Sequence, residues 1–361
     1  MPKAATVMKI NRKSALAAVC ATSLVALSAC GSDGDTPGSG SGLKGQQLVY
    51  VNFGGDSLTA AKTAWLDPFM KETGVSVATD SPSDPAKVKA MVAANNTTWD
   101  VIDLDAGSGA VGCGTLYEKR SAEVDTSHID PRYMSDECGV PIMVQTLALV
   151  YNTEKFGDNP PTKITDFMDT ARFPGKRITL NYAVGGLEGM LLADGVPGDQ
   201  LFPLDLDRAK AAVQRLGDDL SLQSTLAQQG ESLESGDFAM CFCYVGRAAL
   251  NAQRGAKVDV VWDAAYSAWD ALYAIKGSKS PEAQQALLNY IAQPDAQARF
   301  TEELPYGPTT PESKPDVAAD LEAWLPQNNE SKMGTPAFYD AEWWKANTDK
   351  AFAAWTEMTA G

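Results

Sequence analysis

From Gln47 to Leu104, short apolar runs alternate with helix-patterned stretches, and that rhythm restricts the chain to an α/β fold. Gln47 to Phe53 (QLVYVNF) is β-branched and aromatic and ends at Gly54-Gly55, which reads as a buried strand entering a tight turn. Ser57 then serves as N-cap of a helix to about Thr73, with Leu58, Ala61, Trp65 and Phe69 on one face and Gly74 as its stop. Val75 to Thr79 alternates as a strand. Asp84-Pro85 opens a second helix through Val88, Met91 and Val92, and Val101 to Leu104 is a third strand between Asp100 and Asp105. Strand, helix, strand, helix, strand implies a parallel sheet layered with helices.

The rhythm returns after a nearly continuous apolar run from Pro141 to Tyr151. Ile164 to Phe167 and Ile178 to Asn181 resume it, and Glu188 to Ala193 and Asp205 to Leu216 read as helices. Ala239 to Val245 and Val258 to Trp262 read as strands separated by a helix from Arg247 to Gln253. Ser280-Pro281-Glu282 starts another helix. After a Pro-rich bend from Pro305 to Pro311, the stretch Ala341 to Met358 places Trp344, Ala351, Phe352, Trp355 and Met358 on one helical stripe, expected to be core.

The N-terminus has a different character. Lys3, Lys9, Arg12 and Lys13 precede a run from Ala15 to Ala29 that is almost free of polar side chains and too short to span a bilayer of about 20 helical residues. Leu27-Ser28-Ala29-Cys30 resembles the lipobox of bacterial lipoproteins, which implies acylation of Cys30 and removal of residues 1–29. Gly31 to Gly45 is mostly Gly, Ser, Asp, Thr and Pro, so residues 30–45 are expected to be a flexible tether with an end-to-end distance on the order of 20 Å. The chain is therefore expected to be exported and lipid-anchored to the outer face of the cell membrane or in a periplasm, the lipid being its one membrane attachment.

Composition excludes some partners. The formal charge of −16 becomes −20 when the four cations of residues 1–29 leave. Nucleic acid is a poor partner for such a chain, since phosphates need clustered Lys and Arg. Four cysteines remain besides Cys20 and Cys30. Cys113 and Cys138 lie in polar, loop-like stretches and are the expected disulfide, closing a loop worth roughly 3–4 kcal/mol. Cys241 and Cys243 sit two apart in an apolar strand, where full extension brings them near the upper limit for bonding, so two buried thiols are expected. With His128 the sole histidine and no CxxC spacing, neither a metal site nor a cofactor is expected.

Two stretches bear on chemistry. Gly55-Asp56-Ser57-Leu58 resembles the nucleophile block of GDSL esterases, the alternative reading being a secreted hydrolase of that kind. The accompanying Asp125-Thr-Ser-His128 lies mid-chain rather than near the C-terminus, which removes the usual base. The same Gly-rich turn suits a binding role, since Gly54-Gly55 lets backbone approach a ligand and free N–H groups at a helix start attract a carboxylate. The second stretch, Val260-Val-Trp-Asp263 through Tyr266, Trp269 and Asp270, sets aromatic rings beside carboxylates, a combination that suits a protonated amine on an alkyl chain.

Several segments together resemble the extracellular solute-binding proteins of ABC importers, close to the spermidine/putrescine-binding group. They include Phe69-Met-Lys-Glu-Thr-Gly74, Trp99-Asp-Val-Ile-Asp103, Ala148-Leu-Val-Tyr-Asn152, Leu187-Glu-Gly-Met190, Ser235-Gly-Asp-Phe-Ala-Met240, Tyr244-Val-Gly-Arg247, Val260-Val-Trp262 and Tyr306-Gly-Pro308. The resemblance implies an α/β, two-lobed periplasmic-binding-protein-like (type II) fold with crossing hinge strands near Gln145, Trp269 and Thr310. Residues 46–145 and 269–312 would form lobe 1, and 146–268 with 313–361 lobe 2. It implies a monomeric receptor, not an enzyme, that closes on a small cationic or zwitterionic, polyamine-like amine and delivers it to permease subunits. Carried over residue by residue, the ligand-binding positions are Phe53, Asp56, Ser57, Asp105, Gln145, Glu188, Tyr244, Trp269 and Asp270. The chain departs from the polyamine binders where Gly54-Gly55-Asp56 replaces a second aromatic, where Glu188 stands without a second acid three residues away, and where Tyr244-Val245-Gly246 replaces Trp-Asn-Gly.

Overall fold

Two strands much longer than the others organise the structure, a computed structural model that describes residues 42–360. The strands, in chain order, are β1 (Gln47–Val51), β2 (Ser76–Asp80), β3 (Val101–Asp105), β4 (Val140–Asn152), β5 (Arg177–Leu180), β6 (Leu220–Gln223), β7 (Met240–Tyr244), β8 (Val258–Ala274) and β9 (Ala337–Phe338). They form one sheet of order β2-β1-β3-β8-β4-β7-β5-β6, with β9 added on β8. β8 runs well past the expected end at Trp262, because no Gly, Pro or Asn interrupts the chain before Gly277.

β4 and β8 pair antiparallel along nearly their whole length. β3 joins the Asp270–Ala274 end of β8, and β7 joins the Leu147–Tyr151 end of β4. β1 and β2 run parallel to β3, and β5 and β6 run parallel to β7. The registers Asp105↔Asp270 and Leu147↔Tyr244 place the C-terminal ends of both half-sheets toward the middle of the crossing pair. The result is a two-lobed α/β architecture whose parallel strands all deliver their C-terminal loops to one central region. Gly307 adds a further tie there by exchanging backbone hydrogen bonds with Val144.

The first helical stretch is continuous but not uniform: α-helix Asp56–Ala61, a π turn Lys62–Leu66, and α-helix Asp67–Thr73 ending at left-handed Gly74. Its N-cap is Gly55 at φ 60°, not Ser57 as expected. Ser57 lies within the first turn, leaving its hydroxyl free for a distant partner. Trp65 is fully buried, stacks on Phe300 at 4.3 Å and donates to the Ala296 carbonyl at 2.8 Å. The helix Pro85–Ala93 is capped by Asp84, which accepts from the Ala86 and Lys87 amides. In the C-terminal helix Ala341–Thr359, Trp344, Ala351, Trp355 and Met358 of the expected stripe are buried, while Phe352 is half-buried at its edge. This helix packs on Ala106–Val111 as well as on Ala183–Ala193 and Leu206–Leu216, and so touches both halves.

Glu188 is pinned where these layers meet. It is fully buried and accepts from Tyr266 Oη on β8 at 2.8 Å, Trp344 Nε1 at 2.9 Å and the Gly185 amide at 2.7 Å. Gly185, at φ 84°, makes the kink that turns its amide toward the carboxylate. Burial pushes the Glu188 carboxyl up to about 7 against the pull of these donors.

Cys113 and Cys138 form a disulfide across 25 residues. Cys241 and Cys243 are also bonded, correcting the expectation of two free thiols. Their Cα atoms are 5.3 Å apart, so β7 is contracted below full extension and the pair falls inside the disulfide range. The leader, Cys20, Cys30 and the tether up to residue 41 lie outside the described residues. Gly42 to Gly45, read as tether, form a turn in which the Gly45 amide donates to the Gly74 carbonyl.

Two outcomes are expected. Replacing both Cys113 and Cys138 by Ser should lower stability in urea unfolding by about 3 kcal/mol, the loop-closure entropy returned to the unfolded chain. The Glu188 proton is held more tightly folded than unfolded, so its stabilising contribution is full below about pH 4 and is lost as pH rises through about 7. Glu188→Gln should therefore flatten the fall in stability between pH 5 and 8, removing up to about 3 kcal/mol of pH dependence. Identical slopes in the two proteins would exclude this.

Candidate functional site

A cavity of about 240 Å³ opens at the convergence of the strand ends. Its wall is read off the topology. The β1 and β2 loops give Phe53, Ser57, Pro82 and Ser83, and the end of β3 gives Asp105. The ends of β5 and β6 give Leu180, Asn181, Tyr182, Ser224, Thr225 and Leu226, and beyond β7 come Tyr244 and Arg247. The crossing strands form the floor, with Met143 and Gln145 from β4 and Ala268 and Asp270 from β8. Open α/β sheets place ligands at such carboxyl ends. A cavity of this volume suits a small solute.

Among the described residues Arg247 is the one cation on this wall, and it is only 6% exposed. Its Nη2 donates to Ser57 Oγ at 2.7 Å and its Nε to Tyr306 Oη at 3.1 Å. The helix Val245–Gln253 starts directly after β7 and aims it inward. Gly246 permits this, because a Cβ there would sit 2.7 Å from the Pro305 carbonyl oxygen. The bond to Ser57 joins a loop of one half-sheet to a helix of the other.

The acidic side is built on β3 and β8. Asp105 is well supplied with donors: Tyr182 Oη at 3.0 Å, Tyr339 Oη at 2.9 Å and the Ser108 amide at 3.0 Å. Asp270 is 1% exposed, and neither of its oxygens meets a hydrogen-bond donor of good geometry among the described residues. Burial and the Asp105 charge push its carboxyl up to about 8, against the weaker pull of Gln145 and Arg247. Burial likewise raises the phenols of Tyr182 and Tyr244 well above their ordinary value, so both are neutral donors beside the cavity. Phe53 meets Tyr182 edge-on at 6.4 Å, which gives the wall an aromatic side.

Of the residues expected at the site, Phe53, Ser57, Asp105, Gln145, Tyr244 and Asp270 come together on the cavity wall. Three do not. Asp56 sits at the rim, where Oδ1 accepts from Arg254 Nη2 at 2.6 Å in a half-exposed ion pair that Glu234 joins. Glu188 lies behind the wall with its oxygens bound to Tyr266, Trp344 and Gly185. Trp269 faces away, because neighbouring strand residues alternate faces and Ala268 and Asp270 hold the cavity side. Its ring packs edge-on against Tyr133 and Tyr339 at 5.4 and 5.2 Å. Arg247 and Tyr182 are the residues sequence reading missed. A lone arginine within the apolar run Phe238 to Leu250 was the available signal for the first, and position just past a parallel strand for the second.

Ser57 has an arginine on its hydroxyl and no histidine, while His128 lies in the 125–129 loop of β-free chain. The geometry is that of a receptor for a small polar solute. Residues 64–327 match the family described as bacterial extracellular solute-binding protein. The gamma-aminobutyric acid-binding protein of Pseudomonas aeruginosa is 30% identical over 324 residues, covering 86% of this chain and 91% of that protein. The structure of the Atu4243 GABA receptor is 31% identical with a TM-score of 0.78, covering 87% of this chain and 98% of that one. AgtB of A. tumefaciens R10, solved with agropinic acid, is 26% identical with a TM-score of 0.80, covering 88% and 99%. Such relatives bind solutes and are not enzymes, and with a match over most of its length this chain belongs to the bacterial extracellular solute-binding proteins.

Proposed function

We propose that the chain is the lipid-anchored substrate-binding component of an ABC importer and that its ligand is a small zwitterionic amino acid of the γ-aminobutyrate (GABA) type. One observation supports this most: a wall that carries a buried guanidinium and an unpartnered buried carboxylate in the same small cavity. A carboxylate placed at Arg247 and Ser57 meets a guanidinium and a hydroxyl already held together by a hydrogen bond, and an ammonium group at Asp270 supplies the donors that carboxylate lacks. The methylenes between them lie against Phe53, Tyr182 and Tyr244. The names of the relatives point the same way. A polyamine would bring a second cation near Arg247 in a buried site, which disfavours the polyamine-like ligand expected from sequence.

In this reading lobe 1 comprises 46–145 and 269–312 and lobe 2 comprises 146–268 and 313–361, hinged at the crossing strands. Closure joins Asp56 to Arg254, Ser57 to Arg247 and Asp105 to Tyr182, and permease subunits recognise the closed monomer. Acylation of Cys30 keeps it at the membrane.

A thermal-shift and calorimetric series on the chain from Gly42 onward tests the ligand. GABA at a hundred times its dissociation constant should add about 2.7 kcal/mol of stability, and putrescine should add little. The reverse order would overturn the assignment. Asp270→Asn should weaken GABA at least roughly tenfold, about 1.4 kcal/mol, and Arg247→Met by about 2–5 kcal/mol, the loss typical of a buried charge contact. Asp56→Asn, which removes the half-exposed pair with Arg254 and a 4.0 Å approach to Arg247, should cost at most about 1 kcal/mol. Undiminished binding in the Arg247 and Asp270 variants would remove both residues from the site.

A further inference from the structure

Behind the cavity wall stands a third acid that the binding role above does not use. Asp103 is 1% exposed and does not line the cavity. The β3–β8 register sets Asp105 opposite Asp270 and Asp103 opposite Leu272, so Asp103 lies diagonal to Asp270 on the same face of the sheet. That diagonal placement makes the two carboxyl groups neighbours on one face of the sheet. All four of their oxygens are buried without a donor of good geometry among the described residues, Gln145 exerting only a weak pull on Asp270. Asp105 has taken the nearby phenols and amide, and Arg247 is engaged by Ser57 and Tyr306.

Two adjacent buried carboxylates with no donor cannot both remain ionised, and a hydrogen bond between two carboxyl groups requires a proton within it. We propose that Asp103 is a positioning residue that stays protonated and donates to Asp270, and that Asp270 itself holds a second proton until an amine ligand takes its place. This rests on the reading of Asp270 as the contact for the ligand's ammonium group. The exchange balances: two neutral carboxyls and a free ammonium ion become one neutral carboxyl, one carboxylate paired with the ammonium, and one proton released to the buffer.

The surroundings agree. Asp103 is raised well above the ordinary carboxyl range by burial and then by Asp270, against Arg247, with Asp105 adding to the rise. Asp270 rises to about 8 for like reasons. From β1, Tyr50 faces Asp103 with its phenol raised by burial and that carboxyl, and is neutral. Gln145 on β4 is uncharged, and Tyr182 and Tyr244 are neutral phenols that feel Asp270. Arg247 is the one cation acting on the pair, and it is shared with Ser57 and Tyr306. Ligand affinity therefore rises with pH up to about 8 and levels off above it.

Titration calorimetry with GABA, run at each pH in buffers of different ionisation enthalpy, counts the protons. The expected result at pH 6.5 is release of nearly one proton per GABA, falling toward none at pH 9, with affinity gaining up to about tenfold per pH unit below 8. Asp103→Asn, whose amide stands in for the protonated acid, should bind GABA within about threefold of the parent at pH 8. Asp103→Leu should lose at least tenfold there, because the Asp270 anion is left without its donor. Carbon-13 NMR of the aspartate carboxyls in ligand-free protein tests the pair independently of any ligand. Asp270 should titrate near pH 8, and Asp103 should titrate well above the ordinary carboxyl range. Two ionised carboxyls at pH 6.5, or GABA binding there without proton exchange, would overturn the proposal. If GABA fails to bind while the NMR signature is present, the ligand assignment fails and the proton-holding pair stands.

Discussion

The antiparallel pairing of β4 with β8 is the constraint on which the remaining structure depends. Each strand passes through both halves, and each half-sheet is attached to one end of the pair. Because β3 and β7 attach in opposite directions, the parallel strands behind them converge with their C-terminal ends inward. The loops most able to vary in side chain are thus gathered on one floor supplied by the crossing strands themselves. The register breaks near Pro141 and Ala148 fall on either side of Gln145 and allow β4 to bend where the halves meet.

The convergence creates an electrostatic imbalance that the fold resolves unequally. Asp105 lies within a cage of Tyr182, Tyr339 and the Ser108 amide, and Glu188 is similarly enclosed by Tyr266, Trp344 and the Gly185 amide. Asp270, on the same sheet face as Asp105, has no such cage. Asp103, behind the wall, has none either. Buried charges that lack internal partners are costly, so the contrast separates two caged acids from an uncaged pair of which Asp270 alone lines the cavity.

Much of the architecture was legible because it rests on local signals. The alternation from Gln47 to Leu104, the Asp84-Pro85 helix start, the Gly74 stop and the stripe of the last helix all appear as read. What failed was information carried by partners far apart in sequence. Ser57 looked like a cap because its true partner, Arg247, is 190 residues away. Glu188 read as a ligand contact because Tyr266 and Trp344, which enclose it, belong to later elements. Trp269 and Asp270 were placed together as an aromatic and acid pair, although the two-residue period of a strand separates them, and that period becomes visible only once the strand is known to extend to Ala274. The β7 disulfide was missed because ideal strand spacing was assumed where the strand is contracted.

The last helix ties the acids of both halves to one element. Tyr339 reaches Asp105 from just before it, and Trp344 within it reaches Glu188. A shift of that helix would therefore take one donor from each acid at once, while Tyr182 and the Ser108 amide stayed with Asp105 and Tyr266 and the Gly185 amide stayed with Glu188. The two carboxylates thus share a single mechanical support, although they lie on different layers of the molecule.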